Sequence, residues 1–375
     1  MCKTISHVSC VASCLSLCLP AMAGTVYVDV DATGKNDGTG WTDAYTSLSS
    51  AISSASAGDE MWVAEGTYGP IRLKSGVVVL GGFAGTETSA SASGPDAHRT
   101  YISGGGTSRA VVSMNNDSSA VLRGFYITEG FIDFPDMGGG LYMEKSDAMF
   151  VGCVFTRNRS TPMGGAASIW GGSPRFVNCQ FYENDGGWAA GAVFIRWSAT
   201  PTFVNCLFAE NKAEEAGAVS VLTGAATFIN CTIADNKATI GKAGALFDSP
   251  GEAVFHNCIL WNNASPIEGT SQIYDDPRAG GSTTMASSNV QGGWAGKGNI
   301  DSEPLFIDAA NGDYRLHADS PCRDAGDGAL LPADVGDIDR GGNTAGTLPK
   351  DLTLNPRVYG PSVDMGAYEW VPTTE

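Results

Sequence analysis

Two groups of side chains in this sequence have the types and spacing to do chemistry. Glu183, Glu210 and Asp235 each stand one residue before an asparagine (Asn184, Asn211, Asn236), at near-constant intervals. If that interval is a structural repeat, the three carboxylates stack, and like charges so close either raise one another's pKa or recruit a cation such as Ca²⁺. Lys212 and Lys237, two residues beyond Glu210 and Asp235, offer the other outcome, a compensated and solvated face. The second group is aromatic: Trp170, Trp188 and Trp197, with Arg196 beside the last. Aromatic faces stack on sugar rings, so these four residues are expected to bind polysaccharide unless a loop packs over them. A weaker set, Asp334, Asp337 and Asp339 with Asn343, offers oxygens for Ca²⁺, but no complete EF-hand spacing occurs and turn capping uses the same residue types.

What would position these groups is a phrase that returns about every 26 residues. Phe176-Val177-Asn178-Cys179 to Asn184 recurs as Phe203-Val204-Asn205-Cys206 to Asn211, as Phe228-Ile229-Asn230-Cys231 to Asn236 and as Phe255-His256-Asn257-Cys258 to Asn263. A degenerate copy runs from Phe150 to Asn158, and a glycine-alanine phrase keeps time with it: Gly164-Gly165-Ala166, Ala190-Gly191-Ala192, Ala216-Gly217-Ala218 and Ala243-Gly244-Ala245. A fixed period of this length marks a solenoid. Runs such as Gly191 to Ile195 and Thr202 to Phe208 alternate at period two, and no window sustains a helical pattern. The expected fold is therefore all-β, a right-handed parallel β-helix with coils about 4.8 Å apart. Phe176, Cys179 and Phe181 should point inward, and Asn178 and Asn184 should bond turn backbone and their images one coil away.

Composition narrows the class. With 22 basic and 40 acidic residues the net charge is −18, which disfavours nucleic acid as a general partner, while acidic surfaces favour divalent cations or simply solubility. Residues 1–23 read as a signal peptide cleaved after Ala23, and a lipoprotein-like box ending at Cys14 is the lesser reading. Export to the cell envelope or medium follows, with no transmembrane segment expected beyond the leader. The ladder cysteines at 153, 179, 206, 231 and 258 are expected as buried small hydrophobes, because in-register stacking aims neighbouring Cβ vectors the same way and works against disulfides.

The mature chain divides into an N-terminal cap (24–59) with a short helix within 45–57, the β-helix (60–298) and an irregular C-terminal cap (299–375) rich in proline, aspartate and glycine. A monomer is expected.

The repeats, with Phe181 to Asn184 and the Ala-Gly-Ala phrases, resemble those of chlamydial polymorphic outer-membrane proteins. The phrases Gly58 to Ala64 and Gly81 to Glu87, and the tail phrases Glu303 to Phe306, Gly312 to Leu316, Ser320 to Cys322 and Val363 to Glu369, are similar to the bacterial choice-of-anchor Q domain family. That resemblance implies a pectin-lyase-like β-helix exported to the cell envelope and implies no settled activity.

Enzymes built on such helices cut acidic polysaccharides, and lyases among them need clustered carboxylates for Ca²⁺ and a nearby base. The outward row Glu144, Trp170, Arg196, Leu222 and Ser249 supplies one acid and one base, the candidate catalytic pair Glu144 and Arg196, two coils or roughly 10 Å apart. Asn115-Asn116-Asp117, Asp275-Asp276 and Arg72-Leu73-Lys74 resemble fragments of a hydrolase signature in the wrong order. The leading expectation is a non-catalytic exported protein presenting a polysaccharide-binding or adhesive surface, and the alternative is a pectate-lyase-like enzyme.

Overall fold

The computed structural model describes residues 24–114, 119–334, 336–337, 344 and 346–372. Residues 1–23, expected as a signal peptide, and Asn115 to Asp117, Asp339 and Asn343 lie outside them. Three parallel sheets of ten, nine and eight strands wind around one core as a right-handed parallel β-helix. One coil shows the plan. Arg175–Val177 belongs to sheet I, Gln180–Tyr182 to sheet II and Val193–Arg196 to sheet III, and each strand pairs in register with its counterpart in the next coil.

The inward letters stack as their spacing requires. Phe150, Phe176, Phe203, Phe228 and Phe255 form one column with ring centroids 4.9, 5.0, 5.0 and 4.6 Å apart and near-parallel planes. Phe155, Phe181 and Phe208 form a second at 4.8 and 4.7 Å. The ladder cysteines are buried and free. Each thiol contacts the carbonyl of the Phe position one coil back, as Cys206 Sγ does at 3.4 Å from Phe176 O, so the sulfur fills the turn and gives a buried acceptor a partner.

The turns divide the work between backbone angle and amide. Asn178, Asn205, Asn230 and Asn257 hold φ between 49 and 54°, the left-handed region that Asn tolerates best among side-chain-bearing residues, and Gly152 takes the same place in the degenerate copy. Asn184 and its equivalents are buried and form a continuous ladder. Asn158 Nδ2 donates to Asn184 Oδ1 at 3.1 Å, Asn184 to Asn211 at 2.9, Asn211 to Asn236 at 2.9 and Asn236 to Asn263 at 2.8. The glycine phrase answers to close approach rather than to φ. A Cβ on Gly191 would lie 2.2 Å from Gly217 O, and one on Gly217 would lie 2.3 Å from Gly244 O.

The ends depart from the expected boundaries. Thr25–Val28 already pairs with Glu60–Ala64 as the first strand of sheet I, so the solenoid begins inside the segment expected as a cap. The helix within 45–57 forms at Leu48–Ser54, capped by the Ser47 side chain, and buries Leu48, Ala51 and Ile52 against the first coils. At the far end Trp294 packs on the core and Ile300 bridges to Asn289.

The tail beyond Ser302 is the larger correction, because it leaves the end of the rod. It lies along the flank, over the outer faces of sheets I and II. Leu348 covers Val151, Val177 and Val204, Tyr314 and Tyr368 cover Leu207, Ala209 and Ala234, and Leu316, Cys322 and Met365 cover Ile259. Those outward positions are apolar where a solvated strand face would be polar, and burying them is what draws the tail in. Asn205 Nδ2 and Asn230 Nδ2 donate to Lys350 O and Asp364 O at 2.7 and 3.1 Å, so part of the expected image-to-image bonding of this asparagine column goes to the tail instead. Arg357, fully buried, ties the segment together through Glu369 at 3.1 Å and the carbonyls of Asp364 and Gly366. Among the described residues no helix is long and apolar enough to cross a membrane.

Candidate functional site

The tail covers sheets I and II between Val151 and Ile259, and along those coils sheet III presents the outer face that the tail leaves uncovered. Register places the side chains in two rows: Tyr142, Ser168, Phe194, Ser220, Phe247 and Tyr274, and beside them Glu144, Trp170, Arg196 and Leu222. Trp170 and Trp197 meet edge to face, with centroids 4.5 Å apart. The Arg196 guanidinium lies 5.6 Å from the Trp170 ring and 5.9 Å from the Trp197 ring. Trp170 is fixed from below by its Nε1, which donates to Ser168 Oγ at 2.9 Å. Tyr142 extends the patch, 6.2 Å from Trp170, with Arg109 above its ring at 4.9 Å and paired to Asp136 at 3.1 Å.

Trp197 is the most telling member. It is 53% exposed and sits at φ 57°, followed by Ser198 at φ 58°. A bulky residue in the left-handed region is strained by about 1–2 kcal/mol, a cost that the repeat imposes wherever this turn lacks glycine. Other coils place Lys145, Gly171 and Thr223 there. Beside this turn lies a shallow cleft of about 400 Å³ lined by Ser198, Thr200, Thr223, Pro250, Glu252 and Ser282. Trp188, 49% exposed, stands in the loop that enters the same strand, whereas Trp197 stands where it leaves. The four residues of Val193–Arg196 separate the two by about 13 Å, so the structure gathers Trp170, Trp197 and Arg196 and leaves Trp188 apart.

Glu144 and Arg196 flank Trp170, each one strand from it, and Glu144 Oε2 accepts from the Tyr142 hydroxyl at 3.3 Å. They stand about 10 Å apart, as their positions in the repeat require.

The carboxylate row does stack, at left-handed turn positions with φ 56° at Glu183, Glu210 and Asp235. Its surroundings differ from those expected. The same turn position holds Arg157 one coil before and Asn262 one coil after, so the acidic run is bounded within the repeat. Asp235 is engaged by Tyr314 Oη at 2.9 Å and by Asn262 Nδ2. Lys212 does not neutralise the row: its Nζ lies 3.5 Å from Asp185. Partial burial, then the charges of Glu183 and Asp235, push the Glu210 carboxyl above its usual range. Among the described residues no three of His, Cys, Asp and Glu are grouped to hold a metal ion. In the tail, Asp334 is buried within a turn whose carbonyls at Gly336 and Asp337 accept from Arg123, which suits turn holding better than an open cation site.

Sequence reasoning missed two features of this region. Asp248, inward in sheet III and fully buried, accepts from Ser282 N at 3.0 Å through Oδ2 while Oδ1 has no hydrogen-bond partner. Burial above all, with the nearby charges of Asp275 and Glu252, pushes it up to about 7. Phe247 and Tyr274, 6.0 Å apart, receive Lys242 at 5.3 and 5.1 Å from their rings. Phe247 stood in the outward row, but the repeat phrase lapses after Asn263, which hid the register of Tyr274.

Residues 110–291 match the family model for a right handed beta helix region, and residues 30–169 match that of a protein of unknown function, DUF1565. No curated protein matches the chain. Among solved structures, the pectate lyase Pel9A aligns with a TM-score of 0.56 at 15% identity, over 93% of this chain and 97% of that one. A deglycosylated pectin methylesterase from Aspergillus niger aligns at 0.38 and 15% identity, over 75% and 84%. The chain thus has the pectin-lyase-like right-handed β-helix fold, shared with a pectate lyase at an identity that speaks for architecture alone.

Proposed function

We propose that this chain is an exported, non-catalytic envelope or secreted protein whose sheet III face binds polysaccharide, either as a carbohydrate-binding surface or in adhesion. The observation that carries the reading is Trp197, held exposed against Trp170 with Arg196 close to both rings. Glu144 and Arg196 lie too far apart, with Trp170 between them, to act on one sugar carbon, so the pectate-lyase-like alternative draws no support from this face. The resemblances to choice-of-anchor Q and chlamydial passenger repeats, and the leader at 1–23, support placement at the cell surface.

The test is a panel of neutral, uronate and sulfated polysaccharides presented to the purified protein, with ultraviolet detection of unsaturated products, with and without Ca²⁺. Binding without turnover, lost in Trp197→Ala, is expected. Turnover that vanishes in Arg196→Ala would replace this reading with the lyase.

A further inference from the structure

The outer face of sheet III carries a second cation-on-aromatic station besides the tryptophan group, and the two lie on one path along the rod. The first comprises Trp170, Trp197 and Arg196. The second comprises Lys242, Phe247 and Tyr274. Leu222, the partly exposed outward residue of the intervening strand Val219–Leu222, lies between them. Counting strands, Trp170 to Tyr274 spans four spacings, about 19 Å.

Acidic residues outnumber basic ones 40 to 22, yet neither Arg196 nor Lys242 has a carboxylate within salt-bridge distance among the described residues. Asp276 is close enough to feel the Lys242 charge, but it is held by Ser249 Oγ at 3.0 Å and Arg278 N at 3.0 Å. Nor does Glu144 reach Arg196 from its end of the row. Each cation instead lies 5.1–5.9 Å from two ring centroids, which holds it in place without neutralising it. Rings that take the apolar face of a sugar, beside a fixed and uncompensated cation, are complementary to a sugar that carries an anion.

We propose that the two stations form one extended binding path for an anionic polysaccharide, with the chain running across the strands, roughly parallel to the rod axis, and its negative groups meeting Arg196 and Lys242. This rests on the sheet III face being a glycan surface and adds the charge class, the direction and a second contact site. The anion is a uronate carboxylate or a sulfate ester, which share the chemistry that both cations read. Two stations joined by one ligand convert the second contact into an intramolecular one, so affinity rises with ligand length once both are reached.

The experiment is calorimetric titration of the full chain with oligogalacturonates from dimer to octamer, with a sulfated oligosaccharide series and with neutral cello-oligosaccharides, at two salt concentrations. For one anionic series, the octamer is expected to bind on the order of a hundredfold more tightly than the dimer. The double variant Lys242→Ala/Tyr274→Ala should lose that gain while keeping dimer affinity, and Phe247→Leu, which keeps the apolar volume, should lose part of it. Added salt should weaken the octamer more than the dimer. Whichever anionic series shows the length effect identifies the anion. A length gain that persists in the double variant, or no length gain while the dimer still binds through Trp197, overturns the two-station path and leaves the glycan surface standing. Equal binding of the neutral series overturns the anionic class alone. No Trp197-dependent binding in any series overturns the glycan surface itself and this inference with it.

Discussion

The phenylalanine columns inside the solenoid and the aromatic patch outside it use similar rings in opposite ways. Inside, the ring of the longer column repeats at one position of five successive coils, Phe150 to Phe255, and the planes lie within 13° of parallel. Outside, Trp170 and Trp197 come from different positions of their coils, meet at 62° and hold a guanidinium. The inner arrangement follows from stacking alone, since a residue that satisfies one coil satisfies its neighbour. The outer one occurs once: its turn recurs in other coils, but the ring placed on that turn does not. In a repeat protein, regularity therefore marks packing, and departure from it marks the places where the molecule does something else.

That contrast can be broken at several points. Phe203→Ala, in the middle of the longer column, should cost about 3–5 kcal/mol in denaturant unfolding, because a cavity would open between two rings that cannot collapse together. Glycan affinity of the folded fraction should not change, and if it falls in step with stability, the core and the face are not separable. Asn211→Ala should cost about 1–3 kcal/mol, since it removes the Oδ1 that accepts from the buried Asn184 backbone N–H at 3.1 Å and the amide that donates to Phe181 O at 2.8 Å. An effect near zero would remove the amide ladder from the account of the core.

On the outer side, Trp197→Gly and Trp197→Ala both delete the ring, but glycine alone is at ease at φ 57°. The Gly variant should be the more stable by about 1 kcal/mol while both lose binding. Equal stability would show that the turn is unstrained. The smallest effect concerns pH. Asp248 is raised to about 7, so its contribution is fully present below its unfolded value of about 4 and is lost as pH rises through 7. The melting temperature of the native chain should fall over that window relative to Asp248→Asn, which keeps an acceptor for Ser282 N. A parallel pH dependence in the two proteins would contradict the assignment.

The inner half of the comparison was legible in the sequence because each inward letter is written several times in register. The Phe, Cys and Asn columns, the glycine close approaches and the two outward rows of sheet III all follow from counting. The tail's position was harder to read. Val177, Val204 and Leu207 faced outward and were apolar, which called for a cover, but the covering residues Tyr314, Leu348 and Tyr368 obey no period and their partners lie more than a hundred residues away. For the candidate site, the row position of Trp170 and Arg196 was readable, whereas their contact with Trp197 depends on a turn angle that spacing does not encode. The carboxylate row was legible as a row, but the sequence could not reveal that Tyr314 and Asn262 reach Asp235.

The most direct measurement is a tryptophan-fluorescence titration of the purified protein with uronate, sulfated and neutral polysaccharides, comparing wild type, Trp170→Ala/Trp197→Ala and Phe203→Leu. Saturable binding of at least one polysaccharide by wild type is expected. Phe203→Leu should retain it, and the double tryptophan variant should weaken it by about thirtyfold or more, the size of a hot-spot loss, when read by calorimetry since its own signal is altered. Binding that survives the loss of both tryptophans, or that disappears equally in Phe203→Leu, would contradict the assignment of function to the open face of sheet III.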